Sequence, residues 1–345
     1  MRVCVFGVGA IGGFIGYRLA AAGCDLSGVA RGATLAALRE RGLRFTEGDR
    51  AGTARVGTTH FESLPIKASS EPSELGEQDL VVLAVKAPAL AAAAASMAPL
   101  LGPETVVLPA MNGVPWWFFH GLGRGSDSGP GFEGRNLASV DPSGSIAAAI
   151  PPSRVLGCVV HVGASCPEPG LVKALPLRRL IIGEPTGRAT PRLAAVAGAL
   201  RGAGFEIEVT DCIQREIWYK LWGNMTMNPV SALTGATMDR IIDDPLVYRF
   251  CCDVMAEAKR VGARIGCRIE QTEEDRMTIS RSLGAFKTSM LQDVEAGRPV
   301  ELDAIVSSVR EIGVLVGEPT PNIDALLGLV RLRARTLGLY PEGVR

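Results

Sequence analysis

Apolar and polar positions along the chain follow two periods. Val3-Cys4-Val5-Phe6 is a continuous apolar run that predicts a buried strand, and Phe14-Ile15-Gly16-Tyr17-Arg18-Leu19-Ala20 follows it as a helix. Residues 25–30 predict a second strand and 33–41 a helix. Residues 43–59 alternate loosely around Gly48, Gly52 and Gly57, which predicts small strands or a hairpin. Asp79-Leu80-Val81-Val82-Leu83-Ala84-Val85 predicts a strongly buried strand, 89–97 a helix, and Thr105-Val106-Val107-Leu108 the next strand. This β–α alternation implies a parallel, doubly wound sheet, whose ligands lie beyond the carboxyl ends of the strands. Residues 121–144 are rich in Gly, Ser, Pro and Asp and predict a long loop. Strands at 155–162 and 180–183, a helix at 191–203 and a strand at 206–209 follow. From about Asp211 helical periodicity takes over, at 213–227, 247–265, 272–283, 300–316 and 322–336. The fold expected is α/β: a Rossmann-type domain over 1–211, then a mainly α-helical domain over 212–345.

Composition narrows the function classes. The 345 residues carry 36 Lys+Arg and 36 Asp+Glu, so zero net charge gives no electrostatic case for nucleic acid or an anionic membrane. None of the eight cysteines forms a C-x-x-C pair, and there are only three histidines, His60, His120 and His161, so neither a metal site nor a disulfide framework is expected. The alanine-rich run 87–98 contains Pro88 and is too short to span a bilayer. The chain opens directly on a strand, which predicts no signal peptide, and the cytoplasm is the expected compartment.

Chemistry enters with Gly7-Val8-Gly9-Ala10-Ile11-Gly12, a G-x-G-x-x-G between the first strand and first helix. In that context Gly7 permits the tight turn, Gly9 lets backbone approach a pyrophosphate, and Gly12 lets helix pack on strand. The helix N terminus then offers N–H groups to phosphate through Val8, Ala10 and Ile11 as well. Arg31 ends the second strand about twenty residues beyond the glycines, where an acidic residue serves NAD and an Arg accommodates a 2′-phosphate. Asp25 falls too early for the ribose role, so NADPH is the expected cofactor; the competing reading of Arg31 is a solvated loop cation. Lys86 and Asn112 each follow a strand and would share the carboxyl edge with Arg31.

In the helical half Lys220, Asn224 and Asn228 recur at i, i+4 and i+8 among Trp218, Leu221, Trp222 and Met225. A lysine in such an apolar setting suits a general acid, and the same spacing also fits an ordinary solvated face. Pro229 predicts a kink or stop at Asn228. Ser289, Gln292 and Asp293 precede a Gly/Pro break and Glu301 opens the next helix; by spacing alone this is a helix–turn–helix with a charged first turn.

With these motifs in order, the chain resembles the ketopantoate reductase (2-dehydropantoate 2-reductase) family. The anchors are the glycine run, Val85-Lys86, Asn112-Gly113, Lys220-Leu221 with Asn224 and Asn228-Pro229, Ser289-Met290-Leu291-Gln292-Asp293, and Glu301-Leu302-Asp303. The resemblance implies NADPH-dependent reduction of a 2-keto acid to a 2-hydroxy acid, with ketopantoate to pantoate in pantothenate and coenzyme A synthesis the first candidate. It implies Lys220 as general acid, and Glu301 as the carboxylate that binds the substrate hydroxyl and helps set Lys220. Asn112, Asn224, Asn228 and Ser289 are implied as substrate ligands. Lys86 and Asn112 would line the site from the nucleotide domain, and Arg31 would meet the 2′-phosphate.

Val114-Pro115-Trp116-Trp117-Phe118-Phe119-His120 and the loop after it depart from the family pattern. The four aromatics fit a lid, a substrate wall or ordinary core. A wall would select a bulkier 2-keto acid, which is the alternative substrate reading. A regulator that senses NADPH without chemistry is a third reading, opposed by the intact Lys220 and Glu301. Apolar stretches at 305–316 and 326–332 fit either a homodimer interface or domain core.

Overall fold

In the computed structural model, residues 1–48, 61–122 and 131–342 are described. In chain order the strands are β1 (Arg2–Phe6), β2 (Asp25–Val29), β3 (Leu43–Glu47), β4 (Glu62–Leu64), β5 (Lys67–Ser69), β6 (Gln78–Leu83), β7 (Leu101–Pro109), β8 (Gly157–Glu168), β9 (Leu171–Gly183) and β10 (Glu206–Val209). The α-helices are α1 (Ala10–Ala21), α2 (Gly32–Arg41), α3 (Leu90–Ser96), α4 (Ser145–Ala149), α5 (Pro191–Gly202), α6 (Ile213–Thr234), α7 (Met238–Asp243), α8 (Pro245–Arg264), α9 (Glu273–Arg281), α10 (Ser289–Glu295), α11 (Ser308–Val316) and α12 (Pro321–Thr336).

The first sheet has the order β5-β2-β1-β6-β7, with every pairing parallel. Its central strands β1 and β6 are apolar runs because both faces are covered: Val3, Cys4, Val5, Leu80, Val81 and Val82 are fully buried. A second, mixed sheet of order β10-β9-β3-β4, with β8 beside β9, was not foreseen from the β–α alternation. Strand β9 explains why. It pairs with β3 at its start, with β10 at its end and with β8 along its other edge, so it extends well beyond the expected 180–183. Pro176, Arg178 and Arg179 interrupt its apolar pattern and conceal its length in sequence.

Helix α1 is squeezed between these sheets, and its glycines make that possible. A Cβ on Gly12 or Gly16 would meet Val5 of β1 at 2.8 or 2.7 Å, and one on Gly13 would meet Val172 of β9 at 2.7 Å. The segment read as 43–59 begins with β3, which pairs antiparallel with β4; residues 49–60 lie outside the described residues.

Two compact units result: Met1–Met111 with Ser143–Ile213, and Asn112–Pro142 with Gln214–Arg345. Residues 112–122 and 131–142, which a single boundary after 211 assigns to the first domain, group instead with the helical residues. Burial is the reason: Trp116, Trp117, Phe118 and Phe119 are at most 6% exposed, and Phe118 lies 6.0 Å from Trp218 of α6. Of the loop read at 121–144, residues 123–130 lie outside the described residues. Its later part is not merely loop, because Leu137 and Asp141 are buried and the Glu311 carboxylate accepts the N–H groups of Ala138 and Ser139.

In the helical unit α6 carries Trp218, Leu221, Trp222 and Met225 into the core. It does not stop at Asn228 but continues through Pro229 to Thr234, with Val230 and Ala232 buried. Tertiary packing there outweighs the local cost of the proline. The buried Glu257 carboxylate accepts three N–H groups from Asn322 and Ile323, and so caps α12. Ahead of α11, Asp303–Ser307 form a π-helical turn within the span read as one helix at 300–316. Among the described residues, no helix is long and apolar enough to cross a membrane.

Candidate active site

In the first unit the glycine turn closes the carboxyl end of β1. Gly7 has φ +98°, a conformation that favours glycine, and a Cβ there would lie 2.9 Å from the Ala84 carbonyl oxygen. A Cβ on Gly12 would sit 2.3 Å from the Gly7 oxygen, whereas one on Gly9 would meet nothing within 4 Å. The turn is therefore tight where strand and helix touch and open at the residue that caps α1. No side chain caps that helix, which leaves the N–H groups of its first turn to an outside acceptor. These features suit the pyrophosphate of a dinucleotide.

Strands β2 and β6 flank β1 in parallel, with Phe6 in register with both Val29 and Leu83. Their carboxyl ends thus flank the glycine turn, and the exposed Arg31 and Lys86 follow them on either side. Arg31 is the residue before α2 and Lys86 the residue before a short 3₁₀ turn at Ala87–Ala89. Among the described residues no cluster of His, Cys, Asp and Glu could hold a metal ion.

In the second unit Lys220 projects from α6, and its Nζ donates to Asn112 Oδ1 at 2.8 Å. The α6 stripe runs from the half-buried Lys220 and Asn224 to the buried Asn228. Lys220 therefore belongs to a partly enclosed, hydrogen-bonded site rather than a fully solvated face. Glu301 is half-buried and lies two residues before the π-helical turn, and Ser289 is the exposed first residue of α10.

Spacing did not reveal how Asn112 is held. Gly113 has φ +89°, and a Cβ there would stand 2.5 Å from the Ala304 carbonyl oxygen. The same oxygen accepts the Val114 N–H at 2.7 Å and the Ser308 hydroxyl at 2.8 Å. The segment bearing Asn112 is thus docked on the turn that follows Glu301. Asp303 in that turn accepts the Tyr340 hydroxyl at 2.6 Å. Burial and the adjacent Asp303 carboxylate push that hydroxyl's pKa above the ordinary tyrosine value, so it remains a proton donor. The Asn-Gly dipeptide was the available signal for the close approach at Gly113, whereas Tyr340 carried no signal in sequence.

Comparison with known proteins bears on the family and the fold. The ketopantoate reductase PanE/ApbA model matches residues 3–115, and its C-terminal model matches 212–334. The chain belongs to the ketopantoate reductase family. A 2-dehydropantoate 2-reductase of Mesorhizobium japonicum is 44% identical over 341 residues, covering 99% of this chain and 100% of that protein. A crystal structure of a Ralstonia solanacearum MolK2 protein assigned as a ketopantoate reductase has TM-score 0.89 and 56% identity, covering 98% of this chain and 99% of that one. D-mandelate dehydrogenase with NADH and anilino(oxo)acetate shares the fold at TM-score 0.78 and 21% identity, covering 98% and 100% of the two chains. As a ketopantoate reductase family member the chain is an oxidoreductase that uses a nicotinamide dinucleotide and a small keto acid.

Proposed function

We propose that the protein catalyses NADPH-dependent reduction of 2-dehydropantoate to pantoate, a step of pantothenate synthesis in the cytoplasm. The observation that carries this reading is the hydrogen bond from Lys220 Nζ to Asn112 Oδ1, which holds the cation by a neutral amide on a helix whose Trp218, Leu221, Trp222 and Met225 are buried. The dinucleotide supplies the hydride when bound. Gly7, Val8, Gly9, Ala10, Ile11 and Gly12 would hold its pyrophosphate by backbone N–H groups. Arg31 would pair with a 2′-phosphate, and Lys86 and Asn112 would border the nicotinamide end.

In this reading Lys220 donates a proton to the C2 oxygen of the substrate as negative charge develops there. Glu301 accepts a hydrogen bond from the substrate hydroxyl and helps orient Lys220. Asn224, Asn228 and Ser289 complete the substrate contacts. Substrate enters with a carbonyl at C2 and leaves with a C–H and an O–H, which balances one hydride and one proton. The aromatic residues 116–119 support core packing and not a substrate wall, so the bulkier-acid reading loses the feature that prompted it. The exposed Val314, Leu329 and Leu332 on α11 and α12 favour a homodimer that covers them.

The test is NADPH consumption, followed at the nicotinamide absorbance, with ketopantoate and a panel of other 2-keto acids. Ketopantoate is expected to give the highest kcat/KM. A protein that binds NADPH and turns over none of the panel would contradict the proposal.

A further inference from the structure

The segment Leu339–Tyr340, far from the catalytic set in sequence, grips the chain on either side of Glu301, at Val300 and Asp303. The Leu339 carbonyl accepts the Val300 N–H at 3.1 Å, and the Tyr340 hydroxyl donates to Asp303 Oδ1 at 2.6 Å. Glu301 lies between these two tethers. The tyrosine is itself held, because the Arg335 guanidinium sits 5.6 Å from its ring centroid and Arg335 Nε donates to the Pro341 carbonyl at 3.0 Å.

The second tether ends on the first residue of the π-helical turn Asp303–Ser307. In that turn the Ala304 carbonyl receives the Val114 N–H, and contact there leaves no room for a side chain on Gly113. Asn112 is the next residue back, and it receives Lys220. A continuous path of hydrogen bonds and close contact therefore runs from Tyr340 through Asp303, Ala304 and Gly113 to the Asn112–Lys220 pair.

We infer that Tyr340 is a positioning residue for the reaction: its bond to Asp303 fixes the π-helical turn that places Glu301 and aims the Asn112 amide at Lys220. This inference rests on the proposed role of Lys220. Small misplacement of a proton donor is costly because proton transfer needs hydrogen-bond distance and alignment.

Tyr340→Phe keeps the ring and removes only the hydroxyl. With NADPH and ketopantoate, or whichever 2-keto acid the panel selects, kcat should fall roughly fivefold, the effect of one lost hydrogen bond. The KM for NADPH should be unchanged. Hydrogen exchange at the Val114 amide should accelerate in the full-length protein without substrate, while exchange in β1 and β6 stays as in the parent. Asp303→Asn, which retains an acceptor oxygen for Tyr340, should keep most of the activity and the slow exchange at Val114. Unchanged kcat together with unchanged Val114 exchange in Tyr340→Phe would overturn the inference. So would accelerated exchange throughout the chain, the mark of general loosening. A Lys220→Ala protein that still turns over would instead defeat the assignment of Lys220, and leave the exchange result standing.

Discussion

At the scale of single residues, the cofactor's phosphate is the sharpest question. Arg31 is exposed and follows β2, beside the turn at Gly7. A guanidinium there can pair bidentately with a 2′-phosphate and has no such partner in NADH. Arg31→Ala should raise the KM for NADPH by about tenfold or more, with the KM for NADH nearly unchanged, in steady-state assays with each dinucleotide. Equal effects on both would return Arg31 to the role of a solvated cation. The glycines were legible because backbone sterics dictate them: only glycine suits Gly7 at φ +98°, and only glycine fits where Gly12 meets the Gly7 oxygen. Gly13 was less legible, since its reason is Val172 of a second sheet on the far side of α1. Tyr340 was not legible at all. Its importance comes from a bond to Asp303, 37 positions away, and no local period reports such a pairing.

At the scale of elements, periodicity identified most strands and helices and failed where tertiary contacts overrode local preference. Helix α6 passes through Pro229 because the buried residues on either side hold it. The span at 300–316 has a helical period throughout, yet Asp303–Ser307 are π-helical, and the Ala304 carbonyl in that turn serves the Val114 and Ser308 donors. The aromatic run 114–120 was open between lid, wall and core, and burial decides for core. Phe118, 1% exposed, packs edge-on to Phe119 and near Trp218. Phe118→Ala should therefore cost about 3–5 kcal/mol, read as a lower urea midpoint, and leave the order of preferred 2-keto acids intact. A reordered substrate ranking with little loss of stability would restore the wall.

At the scale of the whole molecule, zero net charge gives no electrostatic case for a nucleic-acid partner, and among the described residues no helix is long and apolar enough to cross a membrane. The α/β-then-helical order was legible because the hydrophobic period changes near residue 211. The return of 112–122 and 131–142 to the helical unit was not, because it depends on which core the aromatics enter. The outward apolar residues Val314, Leu329 and Leu332, each more than half exposed, predict self-association. Sedimentation should report a dimer, and Leu332→Glu should shift it toward monomer; a parent protein monomeric at high concentration would refute this.

The central claim is that Lys220 supplies the proton. It is tested most directly by comparing Lys220→Ala with the parent protein for both NADPH binding and ketopantoate turnover. The account predicts a loss of kcat by about a hundredfold or more with the NADPH dissociation constant nearly unchanged. Turnover that survives the substitution would contradict it.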